Sequence, residues 1–321
     1  PPRGGRDESG PRVLARRFSS CVADAVNCSL FDQASLNWCL SGSPHQLFPP
    51  PTEPRYMAQV NWEFSETEIS NVRRIIDEQE NNPFVQKRRD QNVVEAEVNI
   101  TADHFWNAHL AALLTSQQRS GPESHVSQFL KEEIQSVSLD QCRDVERIGE
   151  YVSGILEEHG GIRYYNNIGE ACERNFERLD TDGWDELWGE LEKLIEIRKR
   201  KPRDSDYAVE REVSTYLSEG FAGEGFHRVG SKQARNILQI LGLTRFEIPL
   251  DSRITKWLNT NLDLPYRVSG SGLSNREYYH FISDIVQESC STAGVLPCIF
   301  DAAVFSSYDT NWTQSNADAI F

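Results

Sequence analysis

Apolar side chains recur along this chain at intervals of three and four from Met57 onward, the spacing that lines one face of an α-helix. Ile69, Val72, Ile75 and Ile76 follow a Ser65–Glu68 pair spaced as a capping box. Thr101 is placed to cap a helix whose apolar face holds Phe105, Ala108, Ala112 and the Leu113–Leu114 pair. Gly121-Pro122 breaks that helix and starts another with Val126, Phe129, Leu130 and Ile134 inward. Further helices are expected at roughly 140–158, 163–180, 184–200 and 205–219. The pattern then predicts helix, tight turn and helix across 214–241, a short extended link, and a helix from Ser252 to about Asn259. Two more fall near 274–290 and 296–307. Only Val98-Asn99-Ile100 alternates as a strand would, and no repeat recurs at a fixed period. The expectation is an all-α globule in two lobes.

Composition adds limits. At 321 residues and 38% hydrophobic, the chain can bury a sizeable core and is not a disordered polypeptide. No apolar run reaches the ~18 residues of a membrane span, and no secretory signal is recognisable near the start. The stretch before Met57, the only methionine, is rich in Pro, Gly, Ser and Arg. Residues 1–56 therefore read as a disordered leader or as upstream sequence, with the folded domain at 57–321. The cysteines (Cys21, Cys28 and Cys39, then Cys142, Cys172, Cys290 and Cys298) lack the short paired spacings of zinc or iron–sulfur sites. Reduced thiols and no metal are expected.

Net charge is −16, and only seven of the basic residues are lysines. An acidic, lysine-poor chain suits a salt-adapted cytoplasm, and it opposes nucleic acid globally. Any DNA contact must therefore be local, helped by screening over ~3 Å at molar salt.

The chemically informative stretch is Gly225-Phe226-His227-Arg228-Val229-Gly230-Ser231-Lys232-Gln233-Ala234-Arg235. A glycine-bearing turn here delivers a helix start, whose backbone N–H groups suit a phosphate without any net positive charge. Lys232 lies in the first turn, where the helix dipole disfavours its ammonium form and favours a nucleophilic amine. Asp251 follows in Ile248-Pro249-Leu250-Asp251-Ser252-Arg253, with Pro249 enforcing an extended approach and Asp251 at an N-cap.

Together the hairpin, the lysine, the proline and the aspartate resemble the signature of helix-hairpin-helix DNA glycosylases, particularly the 8-oxoguanine glycosylases. In those, apolar-x-Gly-apolar-Gly-x-Lys-x-Ala precedes Pro-x-Asp at this interval. The resemblance implies an all-helical, two-lobed fold with the DNA cleft between lobes. It also implies that Lys232 attacks the sugar C1′, expels the base and leaves a Schiff base that β-eliminates, with Asp251 stabilising positive charge on the sugar. Val229, Gly230 and Ser231 would grip backbone phosphate, in some relatives with a monovalent cation at the hairpin. This chain departs at Arg228, which stands where the family has its first hairpin glycine. Since a non-glycine residue resists positive φ, a reshaped turn is expected, with Gly225 serving elsewhere in the loop.

Gln117, in Leu113-Leu114-Thr115-Ser116-Gln117-Gln118-Arg119, matches the family position that fills the hole left by a flipped base. Asp301 and Phe305, four apart on an expected helix, match a pair that reads the base's Watson–Crick edge and stacks on it. A carboxylate accepts from both donors of a guanine-type edge, so oxidised guanine is the expected substrate. Asn236 is expected to border the same pocket. Arg198-Lys199-Arg200-Lys201-Pro202-Arg203 is the one basic run, and either touches phosphate or ends a helix in water. The resemblance implies a monomer acting on damaged double-stranded DNA without a cofactor, in a prokaryotic, nucleoid-associated setting. The alternatives are a glycosylase for another modified base and a non-catalytic hairpin DNA-binding module.

Overall fold

Short polar caps and apolar stripes set the helix boundaries in the computed structural model, which describes residues 62–95, 97–219 and 225–320. The leader, its three cysteines and most of the loop before Gly225 lie outside the described residues. Ser65 accepts from Glu68 N while the Glu68 carboxylate takes the Ser65 N–H, and this capping box starts α1 (Glu66–Gln79). Asn82 caps α2 (Pro83–Arg89), with Pro83 in the first turn where its missing N–H costs nothing. Thr101 caps α3 (Ala102–Leu114) as expected, and Ser124 caps α4 (His125–Glu132).

The stretch expected as one helix at 140–158 divides into α5 (Leu139–Arg143) and α6 (Ile148–His159). Then come α7 (Tyr165–Arg178), α8 (Trp184–Arg198), α9 (Asp206–Glu219), α10 (Ser231–Ile240) and α11 (Ser252–Asn261). The chain closes with α12 (Arg276–Ala293), α13 (Pro297–Ser307) and α14 (Gln314–Ile320). The fold is all-α, and among the described residues there is no strand. Val98-Asn99-Ile100 is irregular chain whose two apolar side chains are half-buried, so its alternation reflects packing alone. Among the described residues no single helix is long and apolar enough to cross a membrane.

The buried apolar side chains fall into two clusters. One is built from Phe105 to Leu243, with Trp106, Phe129 and Leu110 among its fully buried members. The other joins α1 and α2 to everything from Ile248 to Ala317. The chain crosses between them once in this direction, at residues 244–247, between α10 and α11. Lys232 therefore rides on the last helix of the first cluster, and Asp251 starts the first helix after the crossing.

That crossing is held by buried charge. The Glu210 carboxylate accepts from the backbone N–H groups of Arg245, Phe246 and Glu247, each at 2.8 Å. Burial pushes Glu210 up to about 8, against the pull of these bonds. Glu247 is fully buried and takes Arg235 of α10 and Arg211 of α9. Tyr279 Oη donates to Ile248 O at 3.0 Å and accepts from Leu250 N at 2.7 Å, which fixes the approach to Asp251.

Two arginines of the basic run turn toward the protein. Arg198 is 1% exposed and donates to the carbonyls of Gly242, Gln91 and Glu95. Arg200 pairs with the buried Asp206 at 2.5 Å. Arg198 satisfies backbone carbonyls inside the protein.

Candidate active site

Lys232 is the second residue of α10, behind Gly230 at the N-cap. Its side chain makes no hydrogen bond or ion pair among the described residues. Burial lowers its pKa from the ordinary 10.5, with Asp251 and Asp301 pulling the other way and Arg253 adding to the fall. Asp251 caps α11 as expected. Its Oδ1 accepts from Arg253 N at 2.8 Å and Ile254 N at 3.0 Å, and its Oδ2 lies 3.5 Å from Arg253 Nη1. One carboxylate oxygen is thus locked by the backbone while the other faces cations.

Both residues line a cleft of about 840 Å³, which also takes in Gln117, Asn236, Asp301 and Phe305. Four stretches far apart in sequence therefore bring six of the expected site residues to one cavity. A volume in this range accommodates a small ligand with room to spare. Val229, by contrast, is buried in the first cluster, and Gly230 and Ser231 lie at the helix start outside this lining.

Asn236 is tied down by its amide, which donates to Thr115 Oγ1 at 3.0 Å. Gln233 donates to Ser116 Oγ at 3.0 Å. These two bonds dock α10 onto the segment after α3 that carries Gln117. Asp301 is 6% exposed, and burial lifts its carboxyl to about 7 although Arg88 opposes the rise. Phe305 stacks on Phe84 at 4.9 Å with 22° between planes, and the Arg253 guanidinium lies over its ring at 4.1 Å.

Phe84 and Arg88, both lining the cleft, were not among the expected site residues. The Asn82-Pro83 pair marks the start of their helix. Nothing local shows that α2 reaches a cavity built from residues 115 to 305.

Arg228 corrects the sequence expectation. It adopts φ +60° and so takes the left-handed conformation that glycine would have supplied, and the turn keeps that geometry at this position. Gly225 serves a close approach, since a Cβ there would collide with the backbone of Ser218. The hairpin is clamped from α7 by Asn175. Its Oδ1 accepts from His227 N at 2.6 Å and its Nδ2 donates to His227 O at 3.1 Å. Nδ2 also lies 2.7 Å from His109 Nε2, which burial keeps neutral by depressing His109 to about 3, so the ring nitrogen accepts.

Among the described residues, three non-glycine residues have positive φ: Gln117 at +55°, Tyr164 at +61° and Arg228 at +60°. All three line a second hollow of about 350 Å³, and Gln117 lines both this hollow and the main cleft. Strain on the order of 1 kcal/mol per residue is thus gathered in one place, a pattern associated with binding sites. Arg163 donates from Nη1 to Gln117 O at 3.2 Å and so braces one strained residue.

The chain matches no protein-family model, no curated protein and no solved structure.

Proposed function

We propose that the protein is a base-excision DNA glycosylase with abasic-site lyase activity, of helix-hairpin-helix type, acting on oxidised guanine. One observation carries the reading: a half-buried lysine with a lowered pKa, and no ion pair among the described residues, shares a cleft with an N-cap aspartate and with Asp301 and Phe305. A lysine held only for structure would be neutralised by a partner or left in water.

In this reading the Lys232 amine forms a bond to C1′ of the flipped nucleotide, and the glycosidic bond breaks with its electron pair leaving on the base. The departing base takes up a proton. The amine loses a proton and the ring oxygen takes one up as the sugar opens to an iminium; loss of a C2′ proton then breaks the C3′–O bond and expels the 3′-phosphate. The Oδ2 side of Asp251, near Arg253, faces the positive charge that develops on the sugar. Gln117, exposed and held in a strained turn, enters the hole in the duplex. Stacking of the base on Phe305 displaces the Arg253 guanidinium, which is then free to meet phosphate. The two hydrophobic clusters serve as the two lobes, and a monomer suffices because all the site residues come from one chain.

Hairpin contact with phosphate needs no bulk positive charge, which fits an acidic protein in salty cytoplasm. The Arg228 guanidinium stands beside the hairpin, 3.7 Å from Glu170, and supplies a cation where relatives recruit a monovalent ion.

The test is borohydride trapping on a duplex carrying one 8-oxoguanine, with Lys232→Gln as control. A covalent band that vanishes in the variant is expected. A band only on a preformed abasic site keeps the lyase and removes the base assignment. DNA binding without either band would make the protein a non-catalytic hairpin module.

A further inference from the structure

The floor of the cleft holds a second charged group beside Asp301. α2 presents Phe84 and Arg88 one turn apart, and α13 presents Asp301 and Phe305 one turn apart. The two aromatic rings stack on each other, and the Arg88 guanidinium lies 5.7 Å from the Phe84 centroid. Arg88 and Asp301 are 3% and 6% exposed, and both line the cavity. Arg88 Nη1 donates to Gln239 O at 2.7 Å and Asn92 Oδ1 at 3.3 Å, which sets the plane of the guanidinium. A buried carboxylate and a buried guanidinium thus share one recess.

Guanine's Watson–Crick edge offers two adjacent donors, N2–H and N1–H, and then an acceptor, O6. Adenine offers a donor amine beside an unprotonated acceptor nitrogen, the opposite sense. A carboxylate accepts two hydrogen bonds and a guanidinium only donates. We infer that Arg88 is a specificity-determining residue: its guanidinium takes O6 of a guanine-type base while Asp301 takes N1–H and N2–H. The inference rests on the glycosylase reading and adds how its base class is read. Adenine would set its N1 lone pair against the Asp301 carboxylate and its amine against Arg88. Both contacts repel, and rejection is stronger than a missing bond would give. Arg88 also keeps the Asp301 carboxyl from rising further, so the ionised form is available near neutrality. This edge is the same in guanine and in 8-oxoguanine. The pair therefore selects guanine-type bases and leaves recognition of the oxidation to other contacts.

The experiment is single-turnover excision from three duplexes carrying 8-oxoguanine, 8-oxohypoxanthine or 8-oxoadenine. Each rate is divided by the same protein's cleavage of a preformed abasic site. The wild type is expected to favour 8-oxoguanine over 8-oxohypoxanthine, which lacks the 2-amino group, by about tenfold. It should favour 8-oxoguanine over 8-oxoadenine by about a hundredfold or more. Arg88→Met should shrink the guanine-to-adenine ratio by at least about tenfold, and Asp301→Asn should remove the preference over hypoxanthine. If Arg88→Met does not fold, as judged by its circular dichroism melt, the wild-type panel and Asp301→Asn decide. Abasic cleavage with all three bases removed within about threefold overturns this inference alone. A wild-type protein that cuts neither the abasic site nor any duplex overturns the glycosylase reading and this one with it.

Discussion

Lys232 and Arg235 sit one turn apart on α10, the first half-buried and the second fully buried, and they are treated in opposite ways. Arg235 is bridged to Glu247, which Arg211, Ser283 and Gln287 also reach, so the charges are neutralised in place. Lys232 faces Asp251 and Asp301 across a cavity and pairs with neither. The Glu247 network joins α9, α10 and α12 to the crossing chain. Lys232 makes no such bridge among the described residues. Neutralised charge marks scaffold here, and on the proposed reading the unneutralised charge on the same helix is the reactive one.

The sharpest way to break that contrast is through the scaffold side. Arg235→Ala leaves Glu247 buried beside one cation instead of two, and should cost about 3–5 kcal/mol in denaturant unfolding. A loss below about 1 kcal/mol would show that the bridge is not what holds α10 to the crossing. On the reactive side, Asp251→Asn keeps an N-cap side chain, so the melting temperature should stay close to wild type. Base excision should fall about 10²–10³-fold in single-turnover assays. A parallel collapse of melting temperature and rate would reduce Asp251 to a helix cap.

Acidity separates the two carboxylate roles further. If Lys232 attacks as the free amine, abasic-site cleavage should climb with pH until it levels off below the ordinary lysine value of 10.5. Excision of 8-oxoguanine also needs ionised Asp301, whose carboxyl sits at about 7. Below that pH Asp301 gains a proton and loses an acceptor, so the ratio of excision to abasic cleavage should fall about tenfold per pH unit. A ratio flat between pH 5 and pH 9 would remove Asp301 from base reading. The smallest effect is expected at Arg228→Gly. Stability should change by less than about 1 kcal/mol, because glycine relieves the left-handed strain while freeing the unfolded chain. The salt dependence of DNA binding should lose about one unit of log–log slope, and an unchanged slope would show that Arg228 meets no phosphate.

How much of this was legible in the sequence depends on the reach of each signal. Lys232 and Asp251 were readable because their constraints are local: a turn before a helix, a proline before a cap. Asp301 and Phe305 were readable as a helical i, i+4 pair. Phe84 and Arg88 were not, because α2 reaches the cleft only through packing against α13 across most of the chain. The Val98–Ile100 alternation misled because three residues cannot tell a strand from half-buried irregular chain. Arg228 misled in the other direction. Intrinsic preference argues against positive φ there, and the Asn175 clamp on the preceding residue overrides it. The basic run looked like a surface feature since sequence does not reveal which arginines find buried carbonyls.

The scarcity of lysine has a practical corollary for the chemist. Seven primary side-chain amines exist in 321 residues, and Lys193 is held above its ordinary value by Glu190 and Glu212. Burial lowers both Lys87 and Lys232, but Lys87 is paired with Asp318, whereas Lys232 opens onto the cleft. An aldehyde offered at neutral pH and low stoichiometry will therefore condense there ahead of the surface amines. Peptide mapping after reduction would find the label on the α10 fragment, so the protein can be tagged at one position with no engineering.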